Sequence, residues 1–388
     1  MTLLDRFRGS MLGLAVGDAL GHPATFVSSV AAVRERWGPG GIATFEPAGK
    51  HPAGTFTDDT QMAVAVARAI VRTGPLDRDA VLSALGEELV AWARSPLNNR
   101  APSATCIAAC RNLARGVAWR DAGVKGSKGA SGATRAAPVG LALLRDPAAM
   151  VRLAAAQSAI THAHPTAVSS AVAAAAAVRW AAEGNGVHGL VAHCREAVES
   201  LTPALLVDAG CSPAVADHVG CRETLDALAK AEAAFSREAD DPCELFGDAR
   251  VGEEALACAL WCVARSGGSF RAAVLRAANS SGSSDMIACI TGAVAGAMAG
   301  ASGIDAAWAS GVEKAPALAA LADALAGVAE TGAAGALDPS TDLFGRDRFA
   351  PRPEDETEGE DTEVDNIPAA LRSFRLPTGP YVPAGRKA

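Results

Sequence analysis

Six stretches of this chain place apolar residues at three- and four-residue steps among strong helix formers: Thr60–Arg72, Asp79–Ala93, Ala148–Thr161, Thr166–Ala182, Glu253–Arg265 and Met286–Ala299. The two-residue alternation of a half-buried strand is nearly absent. That pattern predicts an all-α fold. Only 4% of residues are aromatic although 49% are hydrophobic, so the core must be built mainly from Ala, Val and Leu, which suits closely packed helices. A chain of 388 residues can bury a sizeable core, and one helical domain is expected over residues 1–337.

Gly- and Pro-rich breakers separate the periodic segments at Trp37–Gly41, Gly123–Gly129 and Glu183–Gly186, which are candidate pocket-lining loops. Residues 338–388 change character, with an acidic stretch flanked by prolines. They predict an extended acidic tail, within which Ile367–Phe374 could dock locally. Glu354–Asp365 holds eight acids and no bases, which accounts for the whole formal net charge of −8. The rest of the chain is near neutral, so no basic face points to nucleic acid.

The nine cysteines are scattered and form no C-x-x-C pair, which argues against a disulfide framework or a zinc knuckle and for reduced thiols. Asp5, Arg6 and Arg8 interrupt the apolar opening, so no secretory leader is expected and the expected compartment is the cytoplasm. The longest run without a charged residue or a histidine, Met286–Ile304, is mostly Ala, Gly, Ser and Thr, a composition that gives little transfer free energy into lipid. Its Gly292, Gly296 and Gly300 recur every four residues and would let a second helix approach closely in a bundle. No membrane partner is expected.

Two segments carry the acids of interest. In FTDDTQMA, Thr57, Asp58, Asp59 and Thr60 open a helix, and in SSDMIACITGAVAGA Asp285 stands at a similar entrance. Helix capping alone accounts for such residues, because Thr and Asp offset orphan amides and the macrodipole in the first turn. Adjacent carboxylates beside hydroxyls also form a hard-oxygen site of the kind Mg²⁺ prefers. His162 and His164 in ITHAHPTA precede a helix whose first position suits Pro165, so helix-entry packing and a ligand contact are both open for them. No G-x-S-x-G elbow or phosphate-binding P-loop occurs, and no G-x-G-x-x-G follows a strand.

The segments MLGLAVGDALGHP, FTDDTQMA, TRAAPVGL, ITHAHPTA and SSDMIACITGAVAGA, in that order, resemble the landmarks of the ADP-ribosylglycohydrolase family. The resemblance implies a single orthogonal multi-helix bundle with a metal site in a cleft. It also implies that Thr57, Asp58, Asp59 and Asp285 hold magnesium, with Asp58, Asp59 and Asp285 carrying the catalysis. By the same resemblance Gly129, Ser131, Gly132 and Arg135, together with His162 and His164, contact the substrate.

Three positions depart from that family's pattern. Where members commonly carry a Glu two residues beyond the Pro of GDALGHP, this chain has Thr25. Its second acidic motif reads Ser283-Ser284-Asp285-Met286 in place of Asp-Ser-Asp followed by a hydroxyl residue. Loss of anionic oxygens and gain of a thioether weaken a second magnesium site, so one ion is expected. The glycine-rich stretch Lys128–Arg135 departs as well, and a simple turn explains its glycines equally well.

The expected function is metal-assisted hydrolysis of an N-glycosidic (ADP-)ribosyl bond, on a ribose-containing small molecule or an ADP-ribosylated substrate. Two alternatives stand beside it: a repurposed N-glycosidase acting on a smaller ribosyl-phosphate conjugate, and a non-catalytic ADP-ribose-binding protein. The oligomeric state is not legible in the chain.

Overall fold

The structure, a computed structural model, describes residues 1–25 and 27–344. Eight helices of thirteen residues or more form its body: α1 (Leu3–Gly21), α2 (Asp58–Thr73), α3 (Arg78–Arg94), α4 (Pro147–Ala159), α5 (Pro165–Ala182), α6 (Gly252–Ala264), α7 (Ser284–Ala299) and α8 (Ala315–Thr331). Shorter helices and turns connect them. Among the described residues only isolated β-bridges occur, and no strand. The fold is therefore all-α, and the six periodic segments fall on α2 to α7.

The ends follow ordinary capping chemistry. Asp77 caps α3 by accepting from the Ala80 amide, and Asp146 caps α4 by accepting from Ala149. Prolines occupy the first position of α4 and α5, where a missing N–H costs nothing.

Helix α1 organises the interior. From Phe7 to Gly21 only Arg8 escapes burial, because the helix is wrapped by neighbours on every side. Its partner along most of its length is α7, which runs antiparallel to it and meets it through glycines. A Cβ on Gly13 would lie 2.3 Å from the Gly292 carbonyl oxygen, and one on Gly292 would lie 2.0 Å from that of Gly13. Only glycine permits such a crossing, which settles what the four-residue glycine spacing in α7 is for. Because the helices are antiparallel, the C-terminal end of α1 lies beside the N-terminal end of α7, where the Ser284 hydroxyl donates to the Gly21 carbonyl at 3.0 Å.

Two expectations need correction. Residues 338–344 belong to the packed body: Pro339–Thr341 forms a 3₁₀ turn, buried Arg68 donates to Thr341 Oγ1 at 2.8 Å, and Phe344 is buried. The described domain thus runs past residue 337, anchored by that Arg68 contact. The acidic stretch and Ile367–Phe374 lie outside the described residues. The Glu183–Gly186 loop does not line the acid site, since Gly184 lies against the Arg6 guanidinium at the start of α1, roughly 20 Å along the helix from Asp18.

All nine cysteines are free thiols, seven of them buried. No helix among the described residues is long and apolar enough to cross a membrane.

Candidate active site

Asp18 sits in the last turns of α1, fully buried, and its carboxylate is the acceptor for the entrance of α2. Thr57 donates its amide to both oxygens at 3.1 and 3.0 Å, and Thr60 donates its amide at 3.0 Å and its hydroxyl at 2.6 Å to Oδ2. An acid from another helix thereby satisfies the orphan donors of α2, while Thr57 Oγ1 accepts from the Asp59 amide at 3.2 Å as the local cap. Sequence reasoning passed over Asp18. The available signal was a lone acid within the otherwise apolar stretch LAVGDALG.

The α2 entrance presents Asp58 and Asp59 towards α7. Asp59 Oδ1 accepts from the Thr134 hydroxyl at 2.7 Å, whereas Asp59 Oδ2 is buried with no hydrogen-bond partner. Asp58 Oδ2 accepts from the Ser103 amide at 3.4 Å. Asp285 stands in the first turn of α7; its Oδ1 accepts from the Met286 amide at 2.9 Å, and its own amide donates to Thr25 Oγ1 at 3.3 Å. Asp58 and Asp285 retain 6% and 7% exposure against 0% for Asp18 and 1% for Asp59, so the cluster opens to solvent on the Asp58–Asp285 side.

The proximity of these acids shows in their proton affinities. Burial, followed by the charges of Asp285 and Asp18, pushes the Asp58 carboxyl up to about 8. Burial and then Asp18 push Asp285 up to about 6. Asp59 is held well above the ordinary carboxylate range by burial and by the charges of Asp58, Asp285 and Asp18. Two helix entrances more than two hundred residues apart in sequence thus bring their acids into one electrostatic cluster.

The three positions that depart from the family pattern surround Asp285. Thr25 hydrogen-bonds to its amide, Ser283 precedes its helix, and Met286 follows it half-buried. Among the described residues no group of three His, Cys, Asp or Glu side chains is arranged to enclose a metal ion on its own.

The expected substrate contacts divide. Arg135 is fully buried and its guanidinium is engaged inside the protein: Nε with Gln157 Oε1 at 2.9 Å, Nη2 with the Gln157 carbonyl and Thr161 Oγ1, and Nη1 against Met62 Sδ. It ties the end of the short helix Ser131–Thr134 to α4 and α2 and has no face towards a ligand. Ser131 and Gly132 are buried, Gly132 against the Ser158 hydroxyl. His162 is buried against Gly129, where a Cβ would meet its Nε2 at 2.7 Å, and burial lowers its proton affinity to about 3, so it is neutral. His164 caps α5, its Nδ1 accepting from the Thr166 amide at 3.2 Å. That bond leaves the ring proton of the neutral form on Nε2. Of the six residues, Gly129 is the most exposed, and His164 retains 7%, as much as Asp285. Two surface depressions elsewhere, one bordered by Val151, Arg179 and His193 and the other by Arg34, Gly40 and Arg276, include none of the acids.

Fold and site together define an all-helical protein whose distinguishing feature is a knot of four buried acids gathered at helix ends. The chain belongs to the ADP-ribosylglycohydrolase family, whose model matches residues 1–334. It is 30% identical over 203 residues to the ADP-ribosyl-[dinitrogen reductase] glycohydrolase of Rhodospirillum rubrum, covering 51% of this chain and 63% of that protein. With an ADP-ribosylarginine hydrolase of Pseudomonas putida it shares 28% identity over 312 residues, covering 79% and 73%. An uncharacterised Archaeoglobus fulgidus protein is 36% identical over 175 residues, 45% of this chain and 55% of its own length. The alignments to the Archaeoglobus and Rhodospirillum proteins therefore span less than two thirds of those relatives. A solved chain described as an ADP-ribosylglycohydrolase-related protein complex superposes with a TM-score of 0.64 at 24% identity, over 84% of this chain and 99% of that one, a likeness of fold.

Proposed function

We propose that this protein hydrolyses the N-glycosidic bond between an (ADP-)ribosyl group and its nitrogen aglycone, with one magnesium ion held by Asp58, Asp59, Asp285 and the Thr57 hydroxyl. The observation that carries this reading is the unpartnered, buried Asp59 Oδ2 inside a cluster of mutually repelling carboxylates. An anionic oxygen without a donor is costly in the interior, and a hard divalent cation is the partner that would relieve both the missing bond and the repulsion. Since three acids do not enclose an ion unaided here, water and hydroxyl oxygens would complete its shell. When bound, magnesium would supply a Lewis acid that fixes the ribose hydroxyls and a nearby water.

The chain's own groups do the rest. Cleavage of the C1″–N bond develops positive charge on the sugar, and Asp58 and Asp285, on the open side of the cluster, stabilise it and can take a proton from the attacking water. Asp18 positions the entrance of α2 that carries Asp58 and Asp59. The relatives named for ADP-ribosyl substrates in Rhodospirillum and Pseudomonas favour the same bond class.

A smaller ribosyl-phosphate conjugate is the second reading, favoured by the altered surroundings of Asp285 at Thr25, Ser283 and Met286. Incubation with ADP-ribosyl-arginine, ADP-ribosyl-serine and nicotinamide mononucleotide, with and without magnesium, followed by mass spectrometry, tests both. Release of ADP-ribose from the arginine conjugate supports the first reading and release of ribose 5-phosphate from the mononucleotide the second. Binding with no product from any of them overturns both in favour of a binding protein.

A further inference from the structure

Glu253 and Glu254 are adjacent in the first turn of α6, yet their surroundings differ. Glu254 Oε2 accepts from the Ala249 amide at 3.1 Å and its carboxylate packs on Gly247, so it fastens the turn before the helix. Glu253 Oε2 is buried with no partner. The obvious partner nearby is Lys128, since the loop carrying it is pinned to the start of α6 by the Gly252 amide donating to the Lys128 carbonyl at 2.8 Å. That lysine is committed elsewhere: its Nζ reaches both oxygens of Glu223 at 2.6 and 2.7 Å, and Glu223 also accepts from the Thr166 hydroxyl. Glu253 is left without an ion-pair partner; burial pushes its carboxyl up to about 7, against the hydrogen bond from its own backbone amide, with the charge of Glu223 adding to the rise and that of Lys128 opposing it.

The loop ties this acid to the proposed active site. Six residues beyond Lys128, Thr134 donates to Asp59; one residue before it, Ser127 is hydrogen-bonded to Thr105 at 3.1 Å, two residues from the Ser103 amide that reaches Asp58. Resting on the ribosyl reading of that site, we infer that Glu253 is a specificity-determining acceptor for a hydroxyl or amino group of the ligand beyond the ribose whose bond is cut. A carboxylate with one oxygen unpartnered, beside an already neutralised lysine, repels phosphate and accepts O–H or N–H donors at that oxygen. Such donors can come from the distal nucleoside of an ADP-ribosyl group or from the aglycone.

The test uses the full-length protein with Glu253→Ala and Glu253→Met, titrated calorimetrically with ribose 5-phosphate and ADP-ribose, and assayed with ADP-ribosyl-arginine. The expected result is ribose 5-phosphate affinity unchanged and at least a tenfold loss on one larger ligand. Loss on ADP-ribose assigns the donor to the nucleoside. Loss confined to KM for ADP-ribosyl-arginine, with kcat unchanged, assigns it to the aglycone. Glu253→Met is also expected to raise the melting temperature, and a fall would show the carboxylate to be structurally engaged and overturn the inference. Equal affinities in wild type and variants for every ligand overturn the assignment of Glu253 alone. A wild type that binds none of the three sinks the ribosyl reading and this inference with it.

Discussion

Asp18 of α1 accepts the amide and the hydroxyl of Thr60 across the helix interface, so an acid in one helix serves as the cap of another. Replacement by Ala leaves the Thr57 and Thr60 amides and the Thr60 hydroxyl buried without an acceptor. The expected cost is about 2–4 kcal/mol of unfolding free energy, read as a lower urea midpoint, together with weaker magnesium binding because the α2 entrance loses its anchor. An unchanged midpoint would show that the interface does not depend on this carboxylate.

Stability should couple to pH and to magnesium with a definite sign. Asp58 is raised to about 8 and Asp285 to about 6 in the folded chain, above their unfolded values, so the native state binds more protons between about pH 4 and pH 8. Without a divalent ion, stability therefore falls as pH rises through that window. Magnesium competes with those protons, so the increase in melting temperature on adding it should be larger near about pH 8.5 than near about pH 5. A magnesium effect of equal size at both values, or none, contradicts the ligand set.

The altered positions around Asp285 set the expected number of ions. In the triple variant Thr25→Glu, Ser283→Asp, Met286→Thr, carboxylates replace two hydroxyls and a hydroxyl replaces a thioether. Calorimetric titration with magnesium should give one ion per wild-type chain and two per variant chain. A stoichiometry that stays at one in the variant would mean that these residues do not control the second site.

How much of this was legible in the chain depended on how locally each feature is encoded. The reading Asp79–Ala93 against the observed Arg78–Arg94 shows that amphipathic helices announce themselves. Helix α1 did not, because burial on almost every face removes the polar side that periodicity needs, and Asp18 was passed over with it. Asp58, Asp59 and Asp285 were visible as helix-entrance acids, with the Thr57 hydroxyl beside them. Arg135 was expected from the resemblance to contact the substrate, but the surrounding fold engages its guanidinium with Gln157 and Thr161. Glu253 was invisible for the converse reason, since only the tertiary pairing of Lys128 with Glu223 leaves its Oε2 without a partner.

Turnover by the Asp58→Asn, Asp285→Asn double variant tests the central claim most directly. Amides keep the shape of the two side chains while removing the charge that would hold magnesium and stabilise the developing cation. The expected result is loss of ribosyl-bond hydrolysis to background, with wild-type helical circular dichroism and a melting temperature no lower than that of the metal-free parent. Wild-type turnover in the double variant would contradict the assignment of these acids.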